Sequence, residues 1–116
     1  MNNPIVDKSK KFALRIIHLY KELTDEQKEF VLSKQVLRSG TSIGANVRES
    51  QRWESKADFI HKLSISLKEA DETQYWLELL EEGEFITKER FNSFNEDVNE
   101  IIRLLTAIIK SSKNTI

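Results

Sequence analysis

Apolar side chains recur along most of this chain at spacings of three and four residues, the period of one helix face. Phe12, Ile16 and Leu19, flanked by Ala13, Ile17 and Tyr20, predict a first helix over about residues 4–21. Pro4 suits its first position, where a missing N–H costs nothing. Val36, Gly40, Ile43 and Val47 share a face and predict a second helix over about residues 25–52. Thr24 and Gln27 have the spacing of a capping box ahead of it. Phe59, Leu63, Leu67, Ala70, Gln74 and Leu77 mark a third helix over residues 56–82. Ser55 is its expected N-cap, Asp58 suits its positive end, and Gly83 suits its C-terminus. Phe91, Phe94, Val98, Ile101, Leu105 and Ile108 form the most regular stripe and predict a fourth helix over residues 88–111, behind Thr87. Short connections between four amphipathic helices predict an all-α fold: one domain, residues 1–116, built as an antiparallel up-down-up-down four-helix bundle.

Composition agrees with this pattern. Only three glycines and one proline occur in 116 residues, too few turn formers for a β-rich chain of this length. There is no cysteine, which removes disulfides, thiol catalysis and thiolate metal sites and suits a reducing cytoplasm. The first residues, "MNNPIVDKSKK", do not read as a secretory signal. No apolar run is long enough to cross a bilayer, so no membrane partner is expected.

The net charge is −1, which argues against a strongly basic nucleic-acid binder. The distribution is uneven. Residues 1–23 carry five basic and two acidic groups, whereas residues 57–86 carry two basic and eight acidic ones. Lys34, Arg38, Arg48, Arg52 and Lys56 form a basic run opposed only by Glu49 and Glu54, and they are the candidate nucleic-acid contacts. Glu78, Glu81, Glu82 and Glu84 would suit a basic protein partner instead.

The stretch "RSGTSIGANVRESQ", Arg38 to Gln51, holds two of the three glycines. A phosphate-binding loop needs four residues between its glycines and then Lys and Ser or Thr. Here three residues separate Gly40 from Gly44, and Ala45 and Asn46 follow. A catalytic serine needs a base and an oxyanion site. Nothing ties Ser39 or Ser42 to His18 or His61, so no enzyme is expected. Helical register runs straight through both glycines, which would let another helix approach closely. Ser39, Ser42, Asn46 and Glu49 form a polar stripe beside the apolar one, with Lys62, Glu69, Glu72 and Thr73 as partners on the third helix. Ile65, Glu69, Glu72, Trp76 and Leu80 form a second face of that helix. Trp76 there either contacts another subunit or caps the core. The chain lacks the Glu-x-x-His pairs of di-metal bundles, so no metal or other cofactor is expected.

"LRSGTSIGANVRES" and "DFIHKLSISLKEADETQYWLELL" together resemble the four-helix-bundle proteins encoded in intervening sequences of bacterial 23S rRNA genes. The match rests on Arg38, Ser39, Ser42, Ile43, Asn46 and Glu49, then Phe59, Lys68, Glu69, Glu72, Trp76 and Leu77. The resemblance implies a ring-like homopentamer with no established enzymatic activity and an association with RNA inferred from where the family's genes sit. The accessory proteins of diversity-generating retroelements have a similar bundle and partner a reverse transcriptase and nucleic acid. Their basic character is not shared by this near-neutral chain. Two roles follow as expectations: a nucleic-acid-associated homo-oligomer, or an adaptor ring for a protein partner encoded nearby. Arg38, Ser39, Gly40, Ser42, Gly44, Asn46, Glu49, Glu69, Glu72 and Trp76 are the expected packing and assembly residues.

Overall fold

The computed structural model describes residues 3–114. Four helices account for nearly all of them, and no strand occurs among the described residues. They are α1 (Pro4–Asp25), α2 (Leu32–Ser50), α3 (Lys56–Glu82) and α4 (Lys88–Lys113).

Each helix forms where its apolar stripe can be buried. α1 starts at Pro4 and buries Ile5, Phe12, Ile16, Leu19 and Leu23. α2 buries Val36, Gly40, Ile43 and Val47. α3 contributes Leu63, Ala70, Leu77 and Leu80, and α4 contributes Phe94, Val98, Ile101, Leu105 and Ile109. Burying each large member stabilises the fold by roughly 1.5–3 kcal/mol before conformational entropy is subtracted. Ser55 accepts from the Asp58 amide and Thr87 accepts from the Arg90 amide, as N-caps do.

The start of α2 differs from the sequence expectation by seven residues. The apolar register of α1 continues through buried Leu23, so α1 runs past its expected end at residue 21 to Asp25, and residues 26–31, which the capping-box reading gave to α2, form the connection. Thr24 Oγ1 donates to the carbonyls of Tyr20 (3.0 Å) and Lys21 (3.2 Å), inside α1. Gln27 Nε2 donates to the Phe85 carbonyl at 2.7 Å, which ties the α1–α2 connection to the α3–α4 connection. Glu29 takes the capping role. Its carboxylate accepts from the amides of Val31 (3.2 Å), Leu32 (3.0 Å) and Ser33 (2.7 Å). Three otherwise orphaned donors at a positive helix end are thereby satisfied by an anion. At its other end α2 stops at Ser50, two residues short of the expected boundary, and α4 continues to Lys113.

The end of α3 also departs from expectation. Gly83 has φ −83°, and the left-handed residue is Glu84 at φ 68°. The Phe85 amide bonds the Leu80 carbonyl (2.8 Å) and the Glu84 amide bonds the Glu81 carbonyl (3.0 Å), the two bonds of a Schellman ending.

α2 packs on α1 and on α3, α4 packs on α3, and a thinner α4–α1 contact closes the circuit. Across each seam, rising numbers on one helix meet falling numbers on the next. Ile16 faces Gly40 and Ser9 faces Gly44. Arg38 meets Glu69 and Glu72, whereas Glu49 meets Lys62. On the α1–α4 seam Lys8, Arg15 and Glu22 pair with Glu100, Asp97 and Arg90. Behind these pairs Phe12 and Phe94 meet edge to face at 6.4 Å.

The molecule is 50 Å long and 24 × 21 Å across. One end joins the start of α1 to the α2–α3 connection through Asn3 Nδ2 donating to Gln51 Oε1 at 3.0 Å. The end of α4 lies there too, since Ser112 lines a pocket with Trp53, Lys56 and Phe59.

Candidate functional site

The densest polar structure lies on the α2–α3 seam and grows from "RSGTSIGANVRESQ". Helical spacing turns Ser39, Ile43 and Val47 inward and leaves Arg38 and Glu49 outside. The buried side carries small hydroxyls. Thr73 Oγ1–H is shared between Ser39 Oγ (2.9 Å) and the Glu69 carbonyl (2.7 Å). Ser66 Oγ donates to the Ile43 carbonyl at 2.8 Å. Both ties cross between helices where no water competes, so breaking either leaves a buried polar group unpaired.

The outer side of the seam is ionic. Arg38 donates to Glu69 Oε2 at 2.9 Å and to Glu72, and Trp76 Nε1 donates to Glu72 Oε2 at 2.9 Å. The Trp76 N–H first, and the Arg38 guanidinium after it, hold the Glu72 carboxyl below its ordinary range, against the opposing effect of burial. The Glu72 carboxylate in turn raises Arg38 above its ordinary value. At the other end of the seam Lys62 donates to Glu49 at 2.9 Å, and that bond raises the lysine.

The glycines serve close packing. A Cβ on Gly40 would stand 2.8 Å from Ile16 Cγ1, and one on Gly44 would stand 3.3 Å from the Ser9 carbonyl oxygen. Ser42 and Asn46 act within their own helix: Ser42 Oγ donates to the Arg38 carbonyl and Asn46 Nδ2 to the Ser42 carbonyl. Of the expected polar stripe, Ser39 and Glu49 make the cross-helix ties, to Thr73 and Lys62, and Ser66, which the sequence reading passed over, adds another. Leu80, expected on an outer face of α3, is fully buried. Trp76 is half-buried and packed against the core.

The candidate nucleic-acid residues do not form one patch. Lys34 and Arg48 are about 21 Å apart along the α2 axis at 1.5 Å per residue. Arg38 faces two carboxylates. Arg48, Arg52 and Lys56 gather at the end that holds the start of α1 and the end of α4. Segments 3–12, 41–62 and 94–114 share that half of the bundle, as the Lys8–Glu100 and Phe12–Phe94 contacts show, and carry ten basic against seven acidic side chains. Segments 20–34 and 74–90 meet at the opposite end and carry five basic against nine acidic ones. The bundle is therefore polarised along its length, although its net charge is −1.

His18 and His61 are both exposed, whereas Ser39 is fully buried, so the geometry joins no histidine to that serine. Among the described residues no group of three or more His, Cys, Asp or Glu side chains is placed to hold a metal ion. No helix among them is long and apolar enough to cross a membrane.

The family of 23S rRNA-intervening sequence proteins matches residues 1–107. The chain belongs to that family. A solved structure from Bacteroides thetaiotaomicron, described as a protein of unknown function from the S23 ribosomal protein family, is 62% identical. It superposes with a TM-score of 0.92 and covers 93% of this chain and 96% of its own. Among curated proteins none matches. Membership of the 23S rRNA-intervening sequence family thus comes with a four-helix, all-α fold and no molecular role attached.

Sequence reading also missed Trp53, Glu29 and the amide cluster in which Gln74 Nε2 donates to Asn95 (2.9 Å) and Asn99 (2.8 Å). Trp53 carried a usable signal: an aromatic residue inside a basic run. Glu29 carried none, because its role depends on a connection that periodicity does not describe.

Proposed function

We propose that this protein is a non-enzymatic, cytoplasmic up-down-up-down bundle that assembles as a ring-like homo-oligomer and contacts RNA or DNA through its basic end. One observation carries the reading: chain segments far apart in sequence converge to give ten basic against seven acidic side chains in one half of the molecule, with Arg48, Arg52, Lys110 and Lys113 at its tip. Such an end attracts phosphate by charge, with affinity that falls steeply with salt. Bundle helices present no groove-reading element, so the contact is to backbone more than to base-pair edges. The falling register across each seam supports the up-down topology. The family resemblance supports the ring and its five subunits. A cysteine-free chain supports the compartment. Exposed histidines set apart from a buried Ser39 support a role without catalysis.

Titration with structured RNA at low and at physiological salt tests the reading. We expect binding at low salt that weakens as salt rises. No binding at either salt overturns it. Light scattering that shows a stable monomer removes the ring.

The acidic end favours a second reading. Glu78, Glu82 and Glu84 are exposed beside Glu81, which pairs with Lys88 at 3.5 Å. A ring that repeated this surface would suit a basic protein partner. Affinity capture from the native host separates the two roles, since an adaptor retains a defined partner after nuclease treatment.

A further inference from the structure

The basic end carries a feature that charge alone does not explain. Trp53 sits in the short α2–α3 connection and is 56% exposed. Its ring forms one wall of an apolar pocket completed by Phe59, Ser112 and the Lys56 side chain. A large aromatic left this open costs solubility, and no helix among the described residues covers it. Its surroundings narrow the occupant. Arg52 precedes it in the chain, Arg48 stands one turn earlier, and Lys110 and Lys113 flank Ser112 on the last turn of α4. Of the nearby carboxylates Glu49 pairs with Lys62, while Glu54 and Asp58, which accepts the Glu54 amide at 3.1 Å, stand against Arg48, Arg52, Lys110 and Lys113. A flat π-face ringed by exposed cations matches a ligand with a flat base and adjoining phosphates.

We infer that Trp53 is a stacking platform for an unpaired nucleobase, so that the basic end selects single-stranded over fully paired nucleic acid. The inference rests on the nucleic-acid reading above and deepens it. In a duplex the base faces are occupied by neighbouring bases, and only the phosphates remain to be contacted. In a single strand a base can turn onto the indole while the flanking phosphates meet Arg52 and the lysines of α4. Stacking of this kind is tolerant of sequence. It needs no helix in a groove, which this fold lacks.

The test compares an unstructured polyuridine oligonucleotide with an RNA duplex of equal length, read by tryptophan fluorescence and by anisotropy of the labelled strand. We expect the single strand to bind tighter and to quench the fluorescence, with the quench retained in Trp76→Phe. Trp53→Ala should weaken single-strand binding about tenfold and leave duplex binding unchanged, and Trp53→Phe should recover most of the loss. Trp53 lies in an exposed connection, and circular dichroism checks that both variants remain folded. If both strands bind wild type equally and Trp53→Ala changes neither, the stacking inference fails and the nucleic-acid reading stands. If neither strand binds, both fail. If Trp53 in the free protein is shielded from a soluble quencher, it is covered by a second copy of the chain and the inference is overturned.

Discussion

Gly40 lies against Ile16 so closely that a single added methyl group has no room. Its Cβ would stand 2.8 and 2.9 Å from the two γ-carbons of that side chain. Alanine at position 40 would gain about 1 kcal/mol in helix propensity. Overpacking a filled core costs typically 1–3 kcal/mol. Ile16 is fully buried and β-branched, so it cannot swing aside and the overlap wins. We expect Gly40→Ala to destabilise by about 1 kcal/mol in urea unfolding, and Gly40→Ala combined with Ile16→Val to recover part of the loss. Gly44→Ala should change stability less, because its nearest neighbour is 3.3 Å away. A more stable Gly40→Ala would refute the close-packing role.

The Glu72 carboxylate predicts a pH dependence. Its folded value is held below the ordinary 4.5 by the Trp76 N–H and by Arg38. The unfolded chain therefore binds its proton at a higher pH than the native state does. The stabilisation is complete above 4.5 and is lost as pH falls through the lowered folded value. Glu72→Gln should remove this component and flatten the acid limb of a stability–pH profile. Because Arg38 is half exposed, the cost at neutral pH should not exceed about 1 kcal/mol. An acid limb identical to wild type would show that other carboxylates control it.

Glu29 holds the first turn of α2 by three amide bonds. Glu29→Ala should cost about 1 kcal/mol, in the range of lost N-caps. Hydrogen exchange locates the effect: the amides of Val31, Leu32 and Ser33 should lose protection before those in the middle of α2. Uniform loss along α2 would mean that Glu29 supports the whole helix rather than its end.

Ser33 is fully buried, and its hydroxyl has no hydrogen-bond partner among the described residues. Replacing an unsatisfied buried hydroxyl by hydrogen removes a desolvation cost of roughly 1–3 kcal/mol. Ser33→Ala should therefore raise the urea midpoint without changing the slope of the transition. A lower midpoint would reveal a bonding role for the hydroxyl.

The helix count and most of the core were legible in the sequence, since period alone placed Phe12, Ile16, Val36, Leu63, Phe94 and Ile101 on inward faces. The helical reading of "RSGTSIGANVRESQ" also followed from register. Capping was less legible. Ser55 and Thr87 cap as their type suggests, yet Thr24 does not, because α1 continues past it to bury Leu23 and its hydroxyl bonds carbonyls of its own helix. Pairing across the α2–α3 seam was legible in part. Thr73 and Lys62 stood among the partners expected for the Ser39–Glu49 stripe, and they meet Ser39 and Glu49. Ser66 meeting the Ile43 carbonyl, and Arg38 leaving the basic run for Glu69 and Glu72, depended on neighbours that only packing could supply. The same holds for charge. Composition determined a near-neutral chain, while the folding of four helices beside one another decided that one end is basic, the other acidic, and that Trp53 stands open at the basic end.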